Sequence, residues 1–199
     1  MIDPATFETL KTEILACQKC GLATTRQHVV FGEGNPEGGI LVVGEGPGAE
    51  EDKTGKPFVG RSGKLLDKIL ASAGFSREKQ VFIANIVKCR PPNNRAPLPE
   101  ERTACIPYLH QQIELFNPKI IILLGATALN SLIDPNIRIT KSRGKWFNWQ
   151  NRLVMPMYHP SALLRNPNLK RDSWEDIKQV FYKYREFIDA NHTSEYISV

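Results

Sequence analysis

Ile40-Leu41-Val42-Val43-Gly44-Glu45-Gly46-Pro47-Gly48-Ala49 decides the fold. Four aliphatic residues in a row, followed at once by glycine and proline, read as a short strand buried on both faces and ending in a tight turn. Three more runs have the same character: Val81-Phe82-Ile83-Ala84, Ile120-Ile121-Ile122-Leu123-Leu124 and Leu153-Val154-Met155-Pro156-Met157. Helical stripes lie between and around them. Phe7, Leu10, Ile14 and Cys17 share one face, and Leu65, Leu66, Ile69 and Leu70 form a stripe that stops at Gly74. From Pro99, the residues Cys105, Leu109, Ile113 and Phe116 line one side of a helix that Pro107 is expected to kink or break. Thr127 to Ile133 is a short helix candidate. Trp174, Ile177, Phe181, Tyr184 and Ile188 mark a C-terminal helix over about 173–189, after which the chain reads as frayed. Strands alternating with helices define an α/β fold with a parallel sheet.

The chain has 199 residues, enough to bury a core within one domain spanning 1–199. Apolar content of 41% and charged content of 24% are ordinary globular values. No apolar run has the length of a membrane span, and the amphipathic, acid-bearing MIDPATFETLKTEIL is neither a secretory signal nor a transit peptide. The expectation is a cytoplasmic, monomeric protein with no membrane partner. The formal net charge of +5 suits a polyanionic partner without requiring one.

In parallel sheets, ligands bind outside the carboxyl ends of the strands. The segments just after the four runs are Gly44-Glu45-Gly46-Pro47-Gly48, Asn85-Ile86-Val87-Lys88-Cys89-Arg90, Gly125-Ala126-Thr127 and Tyr158-His159-Pro160-Ser161. Most of them carry groups suited to a small polar ligand. Gly44 to Ala49 also matches the G-x-G-x-x-[GA] dinucleotide fingerprint. Against a nucleotide cofactor, the turn runs into Glu50-Glu51-Asp52, which would repel a pyrophosphate, and no strand ending in an acid follows about 20 residues on.

The four cysteines are Cys17, Cys20, Cys89 and Cys105. C-x2-C, a long gap and C-x15-C do not suggest two disulfides in a cytosolic chain. Four buried apolar thiols are one reading. Four thiolates around tetrahedral zinc or an iron–sulfur cluster are another, and spacing alone leans toward zinc. Either metal would tie the N-terminal helix to the middle of the chain.

The ordered motifs GEGPGAEED, GKPFVGRSGKLL, NIVKCRPPNNRAPLPEE and YHPSALLRN, together with all four cysteines, closely resemble the family 4 uracil-DNA glycosylases from about Cys17 to Arg165. The resemblance implies a three-layer αβα sandwich around a four-stranded parallel sheet, in accord with the strand reading. It also implies a [4Fe–4S] cluster on Cys17, Cys20, Cys89 and Cys105, which reverses the lean toward zinc, and no catalytic divalent metal. A related family that crosslinks covalently to DNA carries a basic insertion ending in a histidine, and VKCRPPNNRAP after Asn85 contains none.

The implied substrate is uracil-containing DNA, single- or double-stranded, and the implied product is free uracil beside an abasic site. A uracil inside a duplex must be flipped out to be read. Phe58 is expected to stack on the base and Asn85 to read its edge with one donor and one acceptor. His159 is expected to stabilise charge on the leaving base. Glu45 is the candidate for placing water, with the backbone of Glu45 and Gly46 touching uracil. Gly46 stands where the best-known uracil glycosylases carry an aspartate. Glu51 is the candidate wall near C5, excluding thymine. Ser161 is expected to grip a phosphate, and Leu163 or Arg165 to fill the hole left by the flipped base. The competing readings are a metal-containing nucleic-acid binder without catalysis and, behind it, a nucleotide-binding protein using the GEGPGA turn.

Overall fold

A computed structural model describes residues 2–198. The buried run Ile40–Gly44 is strand β2, and Val81–Asn85, Ile120–Leu124 and Arg152–Met157 are β3, β4 and β6. Two short strands escaped the sequence reading, β1 at Glu33–Gly34 and β5 at Phe147–Trp149. The six strands form one sheet in the order β1-β3-β2-β4-β6-β5. The four expected strands pair in parallel at its centre, and β1 and β5 close its two edges antiparallel.

Alternation along β2 explains the layers. Leu41 and Val43 point to one side, where they meet Leu10 and Ile14 of α1 (Pro4–Leu15), Leu109 and Ile113 of α4 (Pro99–Phe116), and Leu129 of α5 (Ala126–Leu132). Ile40 and Val42 point to the other, toward Leu66 and Leu70 of α3 (Arg61–Ser72) and Phe181 and Tyr184 of α8 (Lys170–Phe187). Each such fully buried aliphatic side chain contributes about 1.5–3 kcal/mol. Both faces of the sheet are therefore covered, as the unbroken apolar runs require. Three short helices, α2 (Ala49–Thr54), α6 (Ile139–Ser142) and α7 (Pro160–Arg165), sit in the connections. No helix among the described residues is long and apolar enough to cross a membrane.

Two expectations are corrected. Pro107 does not break α4, which runs continuously through it. Pro107 and Thr103, whose carbonyl loses its partner, are both exposed, so water can take the place of the missing N–H. The segment after Asp189 is not frayed. His192 stacks on Phe75 with ring centroids 4.6 Å apart, bonds the carbonyl of Ala73 at 2.9 Å, and is followed by the buried Ile197. The sparse apolar residues of this tail hid its packing. In addition, α1 stops at Leu15, so Cys17 lies in the turn beyond the helix rather than on its face.

Candidate functional site

The parallel registers Gly44↔Asn85 and Leu124↔Met157 bring the strand tips level. Beyond them lies a cavity of about 550 Å³ lined by Glu45, Gly46, Glu51, Phe58, Asn85, Thr127, His159, Ser161 and Arg165, among others. Phe58, Asn85 and His159 therefore share one space. The chain crosses from one side of β2 to the other between β3 and β4, and the cavity sits at this reversal.

Asn85 ends β3 and is 1% exposed. Its Oδ1 has no hydrogen-bond partner, a costly state for a buried acceptor unless a ligand supplies the donor. Gly44 makes room for it. A Cβ there would lie 2.5 Å from Asn85 Oδ1 and 2.6 Å from Phe58 Cζ, so only glycine lets amide and ring close on the same spot. The Phe58 ring lies 5.6 Å from that of His159 at an interplanar angle of 36°.

His159 caps the N-terminus of α7. Its Nδ1 accepts the backbone N–H of Ser161 at 3.1 Å and lies 2.8 Å from Ser161 Oγ. An accepting Nδ1 puts the proton of the neutral ring on Nε2. Burial first, and Arg165 after it, lower the His159 pKa to about 4 against the opposing pull of Glu51. The ring is thus a neutral donor at physiological pH.

The carboxylates divide their work. Glu45 accepts a short hydrogen bond from Thr127 Oγ1, which fixes its direction at the cavity. Glu51 lines the same cavity but spends its oxygens on the backbone N–H groups of Gly48 (3.1 Å), Val59 (2.9 Å) and Gly60 (2.9 Å). It holds the Phe58 loop and caps α2, a role the sequence reading did not assign. Its carboxylate also occupies the helix N-terminus where a dinucleotide phosphate would sit, which removes the nucleotide reading of the GEGPGA turn. At Gly46 a Cβ would meet Val87 Cγ2 at 2.7 Å, so a side chain there would displace a buried, stiff valine.

In the loop after the fourth tip, Leu163 is fully buried. That overturns its placement as a base-stack wedge, because helical spacing turns it inward, whereas Leu164 is 39% exposed. Ser161 and Arg165, expected at the DNA backbone and in the base stack, line the cavity itself. Sequence reasoning missed Ser62, Asn94 and Arg95, which line it too, and placed Thr127 at a strand tip without giving it a role. Asn93 and Asn94 adopt positive φ of 55°, and the Pro-Pro-Asn-Asn run was the available signal of a tight turn.

A second, smaller cavity is lined by all four cysteines, with Arg26, Lys88 and Tyr108. Arg26 donates to Cys89 Sγ at 3.3 Å and to the carbonyl of Cys17 at 2.7 Å, and the Lys88 N–H points at Cys105 Sγ from 3.2 Å. Burial raises the Cys89 thiol to about 11, against the pull of Arg26, and raises Cys105 as well. A metal entering here must displace those protons. Lys88 is fully buried, and burial lowers its pKa to about 8 against the opposing effect of Cys105 and Cys89. Its Nζ bonds the Asn85 carbonyl (2.9 Å) and Gln112 Oε1 (2.6 Å).

A polar crevice at the tips of a parallel sheet, an unpaired amide and a neutral histidine are the setting in which comparison with known proteins becomes informative. The family model of the uracil DNA glycosylase superfamily matches residues 31–178, and the chain belongs to that superfamily. Within it the similarity is to the type-4 proteins. A Type-4 uracil-DNA glycosylase of Thermotoga maritima is 50% identical over 177 residues, covering 87% of this chain and 92% of its own. One of Sulfurisphaera tokodaii is 46% identical over 182 residues, covering 87% and 83%. A Type-5 uracil-DNA glycosylase of Thermus thermophilus is 35% identical over 118 residues, covering 52% and 53%.

Proposed function

We propose that the protein hydrolyses the N-glycosidic bond of deoxyuridine in DNA, releasing uracil and leaving an abasic site. The orphaned Oδ1 of Asn85, buried beside the Phe58 ring and His159, carries this reading. A flipped uracil stacks on Phe58, gives its N3–H to Asn85 Oδ1 and takes a hydrogen bond from the same amide at O4. Cytosine offers an acceptor where uracil offers N3–H, so an amide held this way rejects it.

As the C1′–N1 bond breaks, its electron pair moves into the uracil ring and charge builds on O2. The Nε2–H of His159 donates there, stabilising charge that exists only in the transition state. The sugar becomes cationic. Glu45, aimed by Thr127, orients a water toward C1′ and accepts its proton as the new C–O bond forms. Arg165 and neighbouring basic side chains grip phosphates, and Leu164 takes over the wedge role from Leu163.

Cys17, Cys20, Cys89 and Cys105 hold a [4Fe–4S] cluster in this reading. Among the described residues, no group of three or more His, Cys, Asp or Glu side chains is gathered to hold a single metal ion, and all four cysteines line one cavity. Four thiols on one small cavity are the soft sulfur donor set that an iron–sulfur cluster takes. When bound, the cluster supplies a cross-link between the N-terminal turn, the segment after β3 and α4.

Incubation with a uracil-containing oligonucleotide, without added divalent metal, is expected to give free uracil and an alkali-labile strand. An intact strand after alkali would overturn the reading. DNA binding without cleavage would leave only a binding role.

A further inference from the structure

Phe58 stands in an unfavourable backbone conformation, with φ of +52°, a region that bulky side chains rarely occupy. Its carbonyl lies so close to α3 that a Cβ at Gly63 would come within 1.8 Å of it. Something must hold this loop, and two oppositely charged side chains do so from opposite sides. From the cavity side, Glu51 Oε1 accepts the N–H groups of Val59 and Gly60 at 2.9 Å each. From the other, Arg77 donates to the carbonyls of Pro57 (Nη1, 2.7 Å) and Phe58 (Nη2, 2.6 Å).

Arg77 lies outside the four sequence motifs, in the connection between α3 and β3, and does not line the cavity. Its guanidinium is itself fixed, by Asp67 of α3 at 2.8 Å and Glu33 of β1 at 3.4 Å. Hydrogen bonds from a charged group are roughly twice as strong as neutral ones, and a planar fork serves two carbonyls at once. A lysine could not reproduce both bonds from a single nitrogen with the same direction.

We propose that Arg77 is a positioning residue for base recognition: by clamping the Pro57 and Phe58 carbonyls it sets the Phe58 ring at the spacing from Asn85 and His159 that a flipped uracil needs. This rests on the function proposed above. Arg77 acts only through Phe58, so the two side chains belong to one energetic unit. Their effects on base affinity should then be strongly non-additive.

The test is a double-mutant cycle read as the inhibition constant of free uracil against uracil release, a quantity independent of how much of a preparation is active. Arg77→Gln is expected to raise that constant about tenfold, the loss of much of one stacking interaction. In a Phe58→Ala background the same change should raise it by less than about twofold. An equal factor in both backgrounds, or no change in either, overturns the proposal. Should Arg77→Gln fail to fold, Arg77→Lys is measured in the same two backgrounds. A rise of about threefold that vanishes without the Phe58 ring is expected, and an additive or absent effect overturns the proposal equally. Wild-type protein that releases no uracil would instead refute the proposed function.

Discussion

The two ends of the sheet carry cavities of nearly equal size and very different chemistry. At the carboxyl ends of the strands the cavity is about 550 Å³, and at the amino ends a cavity of about 590 Å³ is lined by Glu114, Asn117, Pro118, Lys119, Gln150, Asn151 and Arg152. Helices α2, α5 and α7 begin at the first and turn their positive dipole ends toward it, with Glu51 and His159 capping α2 and α7. Helix α4 ends at the second, where Asn117, Gln150 and Asn151 turn the chain with positive φ. Asn85 Oδ1 lacks a partner at the first. At the second, Arg152 is paired with Glu114 at 3.1 Å and bonds Asn117 Oδ1 at 3.3 Å, with only its Nε left over. Volume alone therefore does not mark a site. Nor does an unmet hydrogen bond, since Asn85 Oδ1 and Arg152 Nε each lack one; the direction of the backbone dipoles and the gathering of ring, amide and imidazole at one end do.

The comparison breaks most sharply at His159. Replacing it with Ala should slow single-turnover uracil release by about 100- to 1,000-fold, the loss of one transition-state donor, while DNA affinity changes by about twofold or less. Equal losses in rate and affinity would reassign His159 to binding. Asn85→Ala should cost about 10- to 100-fold in the same assay, as expected for one buried polar reader.

The pH dependence sharpens the contrast further. His159 titrates at about 4 in the folded protein against an ordinary value of 6.5. Uracil release should show no His159 inflection near pH 6.5, and should fall only as pH approaches 4. An inflection near 6.5 that disappears in His159→Ala would show that burial does not depress the ring. For stability, the unfolded chain takes up this proton first as pH falls. Stability attributable to His159 is thus whole above pH 6.5 and lost between 6.5 and 4, by about 3 kcal/mol, measurable by denaturant titration across that window. Lys119→Ala, at the opposite end, should change uracil release by less than about twofold. A larger loss would mean that both ends contribute.

The central sheet was legible because four unbroken aliphatic runs leave little choice of structure. The edges were not, since Glu33–Gly34 and Phe147–Trp149 are too short and too mixed to show a period. In the cavity, residues at strand tips could be placed from where the apolar runs end, as with Asn85 and His159, whose roles the family resemblance supplied. Those whose roles depend on loop geometry could not. Leu163 and Leu164 are neighbours of identical type, and only the turn of α7 decides which one faces out. Glu51 likewise shows its loop-holding role only once the chain brings Val59 and Gly60 within reach of its carboxylate.

One short run of chain, Asn85 to Cys89, serves both cavities. Its first residue reaches the polar one and its last lines the thiol one, while the Ile86 and Val87 amides are pinned to the carbonyls of Gly44 and Glu45 at 2.9 and 3.2 Å. The length of this run is therefore a ruler shared by two neighbours. An insertion or deletion of one residue within it could not be absorbed by either cavity alone, and the two must drift together or not at all.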